Sequence, residues 1–200
     1  MASILTSLPR TVVTGFLLAF ILFILYATQQ YDNGIFWRFL FRWLHVLSGI
    51  MWVGLLWYLN FVQIPNMGKI PDDQKPAITK VIVPALLFWF RWAAMATLAT
   101  GLILAALNGY LADALMLGRS SGALGHAMIG IGMWLGILLW VNVWFVIWPA
   151  QKKVLGIVPA DDAAKAAAAR RTLLVSRANT ALTVPMLFAM VSAQNLFGAS

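Results

Sequence analysis

The sequence predicts an all-α polytopic membrane protein, a helical bundle of about five transmembrane helices that forms a single integral membrane domain over residues 1–200. Hydrophobic residues make up 62% of the chain and charged residues only 10%. Several apolar runs reach the length of about 20 residues that crosses a bilayer. The chain also lacks cysteine and glutamate, which excludes disulfides, thiolate metal sites and carboxylate-rich di-metal sites of glutamate type.

The apolar runs place the spans in order along the chain. The first span, within residues 1–30, follows Arg10 and is assigned as a helix rather than a signal peptide because no small-residue cleavage site follows it. Both long hydrophilic loops contain a proline and an aspartate pair, a helix-start signal, so interfacial helices are expected in the cytoplasmic loops. The other spans are expected at residues 39–62, 89–110, 123–148 and 178–197.

A histidine-containing segment occurs twice. His45 and His126, the two histidines of the chain, are each followed four residues later by a glycine, Gly49 or Gly130, and then by Trp-x-Gly, asparagine and proline. This pattern predicts an internal two-helix repeat, with one copy over residues 38–110 and the other over 119–197.

The basic residues predict the topology. The histidines lie near one end of the second and fourth spans, and these two ends are predicted to face the same side of the membrane. Of the 14 lysines and arginines, only Arg38, Arg42 and Arg119 fall on that side. The positive-inside rule therefore places the N-terminus in the cytoplasm and the C-terminus outside, with both histidines near the outer surface at the same depth. The net charge of +8 is explained by this asymmetry, and no nucleic-acid partner is expected.

Two histidines at equal depth on two helices suit a haem. Neutral imidazole is a common axial ligand of haem iron, so His45 and His126 are predicted to bind haem b as a bis-histidine pair. Glycines one turn further on would leave room for the macrocycle. The propionates would need cations toward the outer surface. The residues predicted for the cofactor site are therefore His45, His126, Gly49, Gly130, Arg38, Arg42 and Arg119.

Other interpretations stay open from the residues alone. The histidines could be a structural pair that hydrogen-bonds neighbouring helices, or could serve another metal or a proton relay. Zinc or copper would require three or four ligands, more than two histidines supply. Asn60 and Asn142 are expected to form interhelical hydrogen bonds rather than to line a substrate pocket.

Four segments resemble the bacterial urate hydroxylase membrane domain family, also called the urate oxidase N-terminal domain family: RWLHVLSGIMWVGLLWYLNFV, WFRWAAMATLATGLIL, NVWFVIWPAQKKVLG and SRANTALTVPMLFAMVSAQN. The resemblance covers spans two to five and implies an integral membrane oxidoreductase of the bacterial inner membrane that oxidises urate. Longer members carry a C-terminal cytochrome c domain. This chain has no Cys-x-x-Cys-His motif, so it resembles a stand-alone form. The family pattern also has histidines at the positions of Ala178 and near Gln194.

The combined prediction is a membrane haem b protein that passes electrons between a reduced donor and a membrane or periplasmic acceptor. Its expected partners are the lipid bilayer and either a separate cytochrome c or a larger membrane complex. A non-catalytic subunit of such a complex and urate oxidation itself are the alternatives. The residues leave open whether the chain is an enzyme; if it is, it would be a membrane-bound oxidoreductase.

Overall fold

The computed structural model describes residues 2–29 and 32–198, and every regular element within these ranges is a helix. Five of the described helices are long and apolar enough to cross a membrane, which confirms the predicted all-α class and the number of spans. The helices are α1 (Ala2–Leu5), α2 (Leu8–Gln29), α3 (Asn33–Lys69), α4 (Lys75–Leu107), α5 (Leu111–Leu115), α6 (Leu124–Val154) and α7 (Asp162–Asn195).

The chain divides into two units, Met1–Phe39 and Leu40–Ser200. In the first unit, the apolar side chains of α2 are exposed, as expected of a helix that contacts lipid. The rings of Phe23 and Phe36 pack 4.6 Å apart within this unit. The Asp32 carboxylate accepts a hydrogen bond from the Ile35 N–H at 2.7 Å, which satisfies an otherwise unpaired donor at the start of α3.

The second unit contains the core, which α3, α4, α6 and α7 build together. Its most deeply buried large apolar side chains come from three of these helices: Leu56 of α3, Phe90 of α4, and Leu139 and Val143 of α6. In lipid, helices gain little from hydrophobic burial, so close packing and interhelical hydrogen bonds hold such a bundle together.

Side-chain hydrogen bonds join α7 to the two histidine-bearing helices. Asn60 of α3 donates to the Ser176 hydroxyl at 2.8 Å, and Asn142 of α6 donates to the Asn179 side-chain oxygen at 2.7 Å. Asn179 is fully buried and in turn donates to a backbone carbonyl of α6. The expectation that both asparagines form interhelical hydrogen bonds is therefore confirmed.

Three of the long helices contain a π-helical segment, and each segment ends two residues before a proline. The segments are Tyr58–Gln63, Ile78–Ile82 and Asn142–Ile147, and the prolines are Pro65, Pro84 and Pro149. Proline lacks an N–H and its ring collides with the carbonyl four residues earlier, so a wider turn relieves the collision without breaking the helix.

The loop helices differ from the expectation in one respect. The helix-start signal at Asp161 is confirmed, because its carboxylate accepts from the Ala164 N–H at 2.6 Å and caps α7. However, α7 then continues for 34 residues into the last span instead of stopping at the membrane surface. Likewise α4 begins at Lys75 and runs through Pro84. Alanine-rich sequence and a π turn let each helix pass positions where a break was expected.

Candidate functional site

A largely apolar cavity of about 630 Å³ lies within the second unit, between α3, α4, α6 and α7. Its volume is within the range of pockets that hold cofactors and other small molecules. His45 is one of the few polar groups on its wall, beside Trp52 of the same helix and Met133 and Met186 of the facing helices. Four glycines also line it and keep parts of its walls free of side chains: Gly49, Gly54, Gly101 and Gly136.

His45 is held between α3 and α4 by its Nδ1 atom. This nitrogen donates to the Thr97 carbonyl oxygen at 2.9 Å. A carbonyl oxygen can only accept, so the proton of the neutral ring resides on Nδ1 and the lone pair on Nε2. The ring lies against Gly101, where an added Cβ would be 2.7 Å from Cε1. Glycine at position 101 therefore makes this position of the imidazole possible.

His126 is held in a different way, by a carboxylate. Its Nδ1 lies 2.7 Å from Asp113 Oδ2. The Ser121 hydroxyl and the Ser120 N–H also donate to Asp113, the latter at 2.8 Å. The hydrogen bonds from Ser121 and His126 hold the pKa of Asp113 well below its usual range, so the carboxylate is ionised at neutral pH. The His126 ring packs on Tyr110, with ring centres 5.4 Å apart.

The two histidines share a hydrogen-bonding pattern but not a location. In each, Nδ1 pairs with an oxygen acceptor, and Nε2 forms no hydrogen bond with any residue that the structure describes. His45 lines the cavity and His126 does not, although Tyr110, which contacts the His126 ring, is part of the lining. Of the predicted pair, the structure therefore brings His45 alone to the cavity wall.

The other predicted site residues fall into two groups. Gly49 and Arg42 line the cavity with His45. Gly130 and Arg119 are outside the lining, and Arg38 belongs to the first unit. An added Cβ at Gly130 would be 2.0 Å from the Ala114 carbonyl oxygen, so in this structure glycine at 130 makes room for α5 rather than for a cofactor.

Sequence reasoning missed three residues that position the histidines: Thr97, Gly101 and Asp113. Asp113 could have been found, because it is the one acidic residue between the third and fourth spans. Thr97 and Gly101 are ordinary residues of an apolar span. Their importance follows from the packing of α4 against α3, which their sequence pattern does not reveal.

Replacement of Gly101 by alanine is expected to displace the His45 ring and break its hydrogen bond to the Thr97 carbonyl. The expected loss is about 1 kcal/mol of unfolding free energy, the usual net contribution of one hydrogen bond. Unfolding in a titration of sodium dodecyl sulfate would measure it. Gly54→Ala is the matched control, because its Cβ would meet no atom within 4 Å. Equal stability of the two variants would contradict this role of Gly101.

The fold and the site together define a class: an all-helical protein with five potential membrane spans, in which an apolar cavity between helices carries a histidine held in one tautomer. A family comparison adds a more specific relationship. Residues 120–198 match the family described as urate oxidase N-terminal. The predicted resemblance to that family is confirmed over this segment, which contains all of α6 and α7. No curated protein and no solved structure matched the chain.

The matched segment contains His126 and the two positions at which the resemblance implies further histidines, Ala178 and the neighbourhood of Gln194. Gln194 lines the cavity together with His45, whereas Ala178 is exposed and lies outside the lining. One of these two positions is therefore part of the same cavity wall.

Proposed function

We propose that this chain is an integral membrane haem b protein that passes electrons between a reduced donor and a membrane or periplasmic acceptor. The observation that carries the proposal is His45, whose Nδ1 is tied to a backbone carbonyl at the wall of an apolar cavity. Histidines that bind metals usually donate their other ring N–H to a carbonyl or carboxylate, which fixes the ring and leaves Nε2 for the metal.

The residues of the cavity fit a haem. Gly49, Gly101 and Gly136 leave wall area without side chains for a flat macrocycle, and Trp52 and Met133 supply apolar contacts. Arg42 supplies a cation on the same wall for a propionate. A bound haem would supply one-electron chemistry. The chain would hold its ring, exclude water from it and orient the ligand imidazole.

The proposal includes both histidines as axial ligands. His126 has the same pattern, with Nδ1 bound to the Asp113 carboxylate. This arrangement is the carboxylate–histidine pair that supports metal ligands in other sites. Ligation by His126 requires its Nε2 to reach the cavity past Tyr110, so His126 is the part of the proposal to be tested separately.

The proposed location is the bacterial inner membrane, with a cytoplasmic N-terminus and a periplasmic C-terminus. It is supported by the five apolar helices and by the asymmetry of the basic residues. A periplasmic C-terminus would place the histidine ends of α3 and α6 near the side where a separate cytochrome c could accept electrons.

The test is the dithionite-reduced minus air-oxidised absorption spectrum of protein expressed with added haem precursor and purified in detergent. We expect sharp α and Soret bands of low-spin haem b. A flat spectrum from monodisperse, helical protein would overturn the haem proposal. It would favour the alternative of a non-catalytic subunit, for which the exposed apolar side chains of α2 provide a contact surface.

Urate oxidation is the second candidate, because the family match covers residues 120–198. If it holds, urate added to the air-oxidised protein will reduce the haem to the level that dithionite reaches. Haem that dithionite reduces and urate does not would retain the electron-transfer proposal and reject urate as the donor.

A further inference from the structure

Two cations from different helices meet at one tryptophan, away from the cavity. The Arg91 guanidinium carbon of α4 lies 3.3 Å from the ring centre of Trp148 in α6. The Lys152 Nζ atom lies 5.9 Å from the same ring centre. Arg91 also approaches the neighbouring Trp144 ring, at 5.9 Å. The bundle thus concentrates positive charge on a small area of aromatic surface.

These two cations have no anionic partner among the residues that the structure describes. The described ion pairs involve Lys75, His126 and Lys165 only. The Arg91 Nε atom is buried and finds no hydrogen-bond acceptor. A cation–π contact stabilises the cation, but it supplies no oxygen acceptor for a guanidinium N–H. A partly buried cation without an acceptor is unfavourable, so an anion is expected beside Arg91.

The position along the helices indicates where this anion comes from. Arg91 is 16 residues from the end of α4 at Leu107, a distance of about 24 Å along the helix axis. This places it toward the opposite face of a bilayer from that end, near the final turns of α6 that contain Trp148 and Lys152. Tryptophan beside arginine or lysine is typical of the headgroup region of a membrane.

Exposed apolar side chains form a surface beside the two cations. Trp92, which is 50% exposed, packs edge-on against Trp144 with ring centres 5.7 Å apart. Phe88 of α4, 48% exposed, lies within 6.4 Å of the Trp92 ring centre. This surface suits an acyl chain, which a free anion does not have. The combination therefore favours a lipid over dissolved phosphate.

We propose that Arg91, Lys152 and Trp148 form a binding site for the phosphate group of an anionic phospholipid, with the Trp92 and Phe88 surface contacting its acyl chain. The phosphate oxygens accept hydrogen bonds from the guanidinium and ammonium groups, and charge-assisted bonds of this kind are stronger than neutral ones. This site is independent of the haem proposal, because none of these five residues lines the cavity.

The test is the thermal unfolding midpoint of the detergent-purified protein with added phosphatidylglycerol, compared with phosphatidylcholine and with inorganic phosphate. A ligand that binds only the folded state raises the midpoint. We expect phosphatidylglycerol to raise it more than either of the others. The rise should be at least halved in Arg91→Gln and in Lys152→Gln, each measured relative to its own lipid-free midpoint.

Lys153→Gln is the matched control, because it removes the same charge from the adjacent, exposed position of the same helix. It should keep the full rise. An equal loss in Lys153→Gln would show a general charge effect and overturn the site, as would an unchanged rise in both test variants. If inorganic phosphate alone reproduces the rise, the lipid part of the proposal is wrong.

Discussion

Replacement of His45 by alanine is expected to abolish the α and Soret bands of the proposed haem while the helical bundle is retained. His45 is the histidine on the cavity wall, and its Nε2 forms no hydrogen bond with the residues that the structure describes. The substitution also leaves the Thr97 carbonyl without its side-chain donor, which costs about 1–3 kcal/mol in buried sites. The Thr100 hydroxyl, which donates to the Ala96 carbonyl at 2.6 Å, also lies 3.2 Å from the Thr97 oxygen and can turn toward it, so the actual cost should be near the lower limit.

Absorption spectra and size-exclusion profiles of His45→Ala, His126→Ala and Ser48→Ala would measure the effect. Ser48 is one turn beyond His45, bonds only to its own helix and does not line the cavity, so its variant should keep the bands. Haem and imidazole added together to His45→Ala should restore more of the Soret band than haem alone, which a purely structural role would not produce. Bands that persist in His45→Ala would reject His45 as a ligand. Bands that persist in His126→Ala alone would reject bis-histidine ligation.

Replacement of Gly130 by alanine is expected to have the largest effect on stability. The new Cβ would be 2.0 Å from the Ala114 carbonyl oxygen and 3.0 Å from its carbon. These are backbone atoms, so no side-chain rotation can relieve the overlap, and α5 must move away from α6. Overpacking of this kind costs about 1–3 kcal/mol. The movement would also separate Asp113, in α5, from His126, in α6.

Gly136→Ala is the control for this prediction. It lies on the same helix, and its Cβ would be 3.7 Å from the Met186 sulfur, an ordinary contact. Alanine is favoured over glycine in a helix by about 1 kcal/mol, so Gly136→Ala should be neutral or stabilising. In a titration with sodium dodecyl sulfate, the unfolding midpoint of Gly130→Ala should therefore be lower than that of the unmodified protein. The midpoint of Gly136→Ala should be equal to it or higher. A Gly130→Ala midpoint equal to that of Gly136→Ala would contradict the packing that the structure shows.

Much of this organisation could be predicted from local chemistry. The lengths of the apolar runs predict the five spans. Backbone N–H and C=O groups must be hydrogen-bonded in lipid, and a long apolar helix pairs these groups within itself. The two histidines stand out because ionisable residues are rare within spans. The interhelical role of Asn60 and Asn142 follows from the same reasoning, since a polar side chain in lipid needs a partner.

The helix boundaries were harder to predict because they depend on competing local and long-range effects. Proline and the Pro–Asp signals marked real irregularities, but the helices absorb them as π turns or continue through them, as α7 does from Asp162 to Asn195. A helix that packs along its length against neighbours can keep a locally unfavourable turn. The sequence pattern alone shows where a helix is disturbed, but not whether the helix ends there or continues.

The sequence by itself determined the class of protein, the number of spans and the two histidines on which the haem proposal rests. The tertiary structure decided their roles, because it depends on contacts between residues far apart in the chain. It placed His45 on Thr97 and Gly101, 52 and 56 positions away, and tied His126 to Asp113. It also assigned Gly130 to helix packing, since only the docking of α5 on α6 brings the Ala114 carbonyl to it. His45 and His126, at matching positions of the predicted repeat, therefore have different neighbours in the structure.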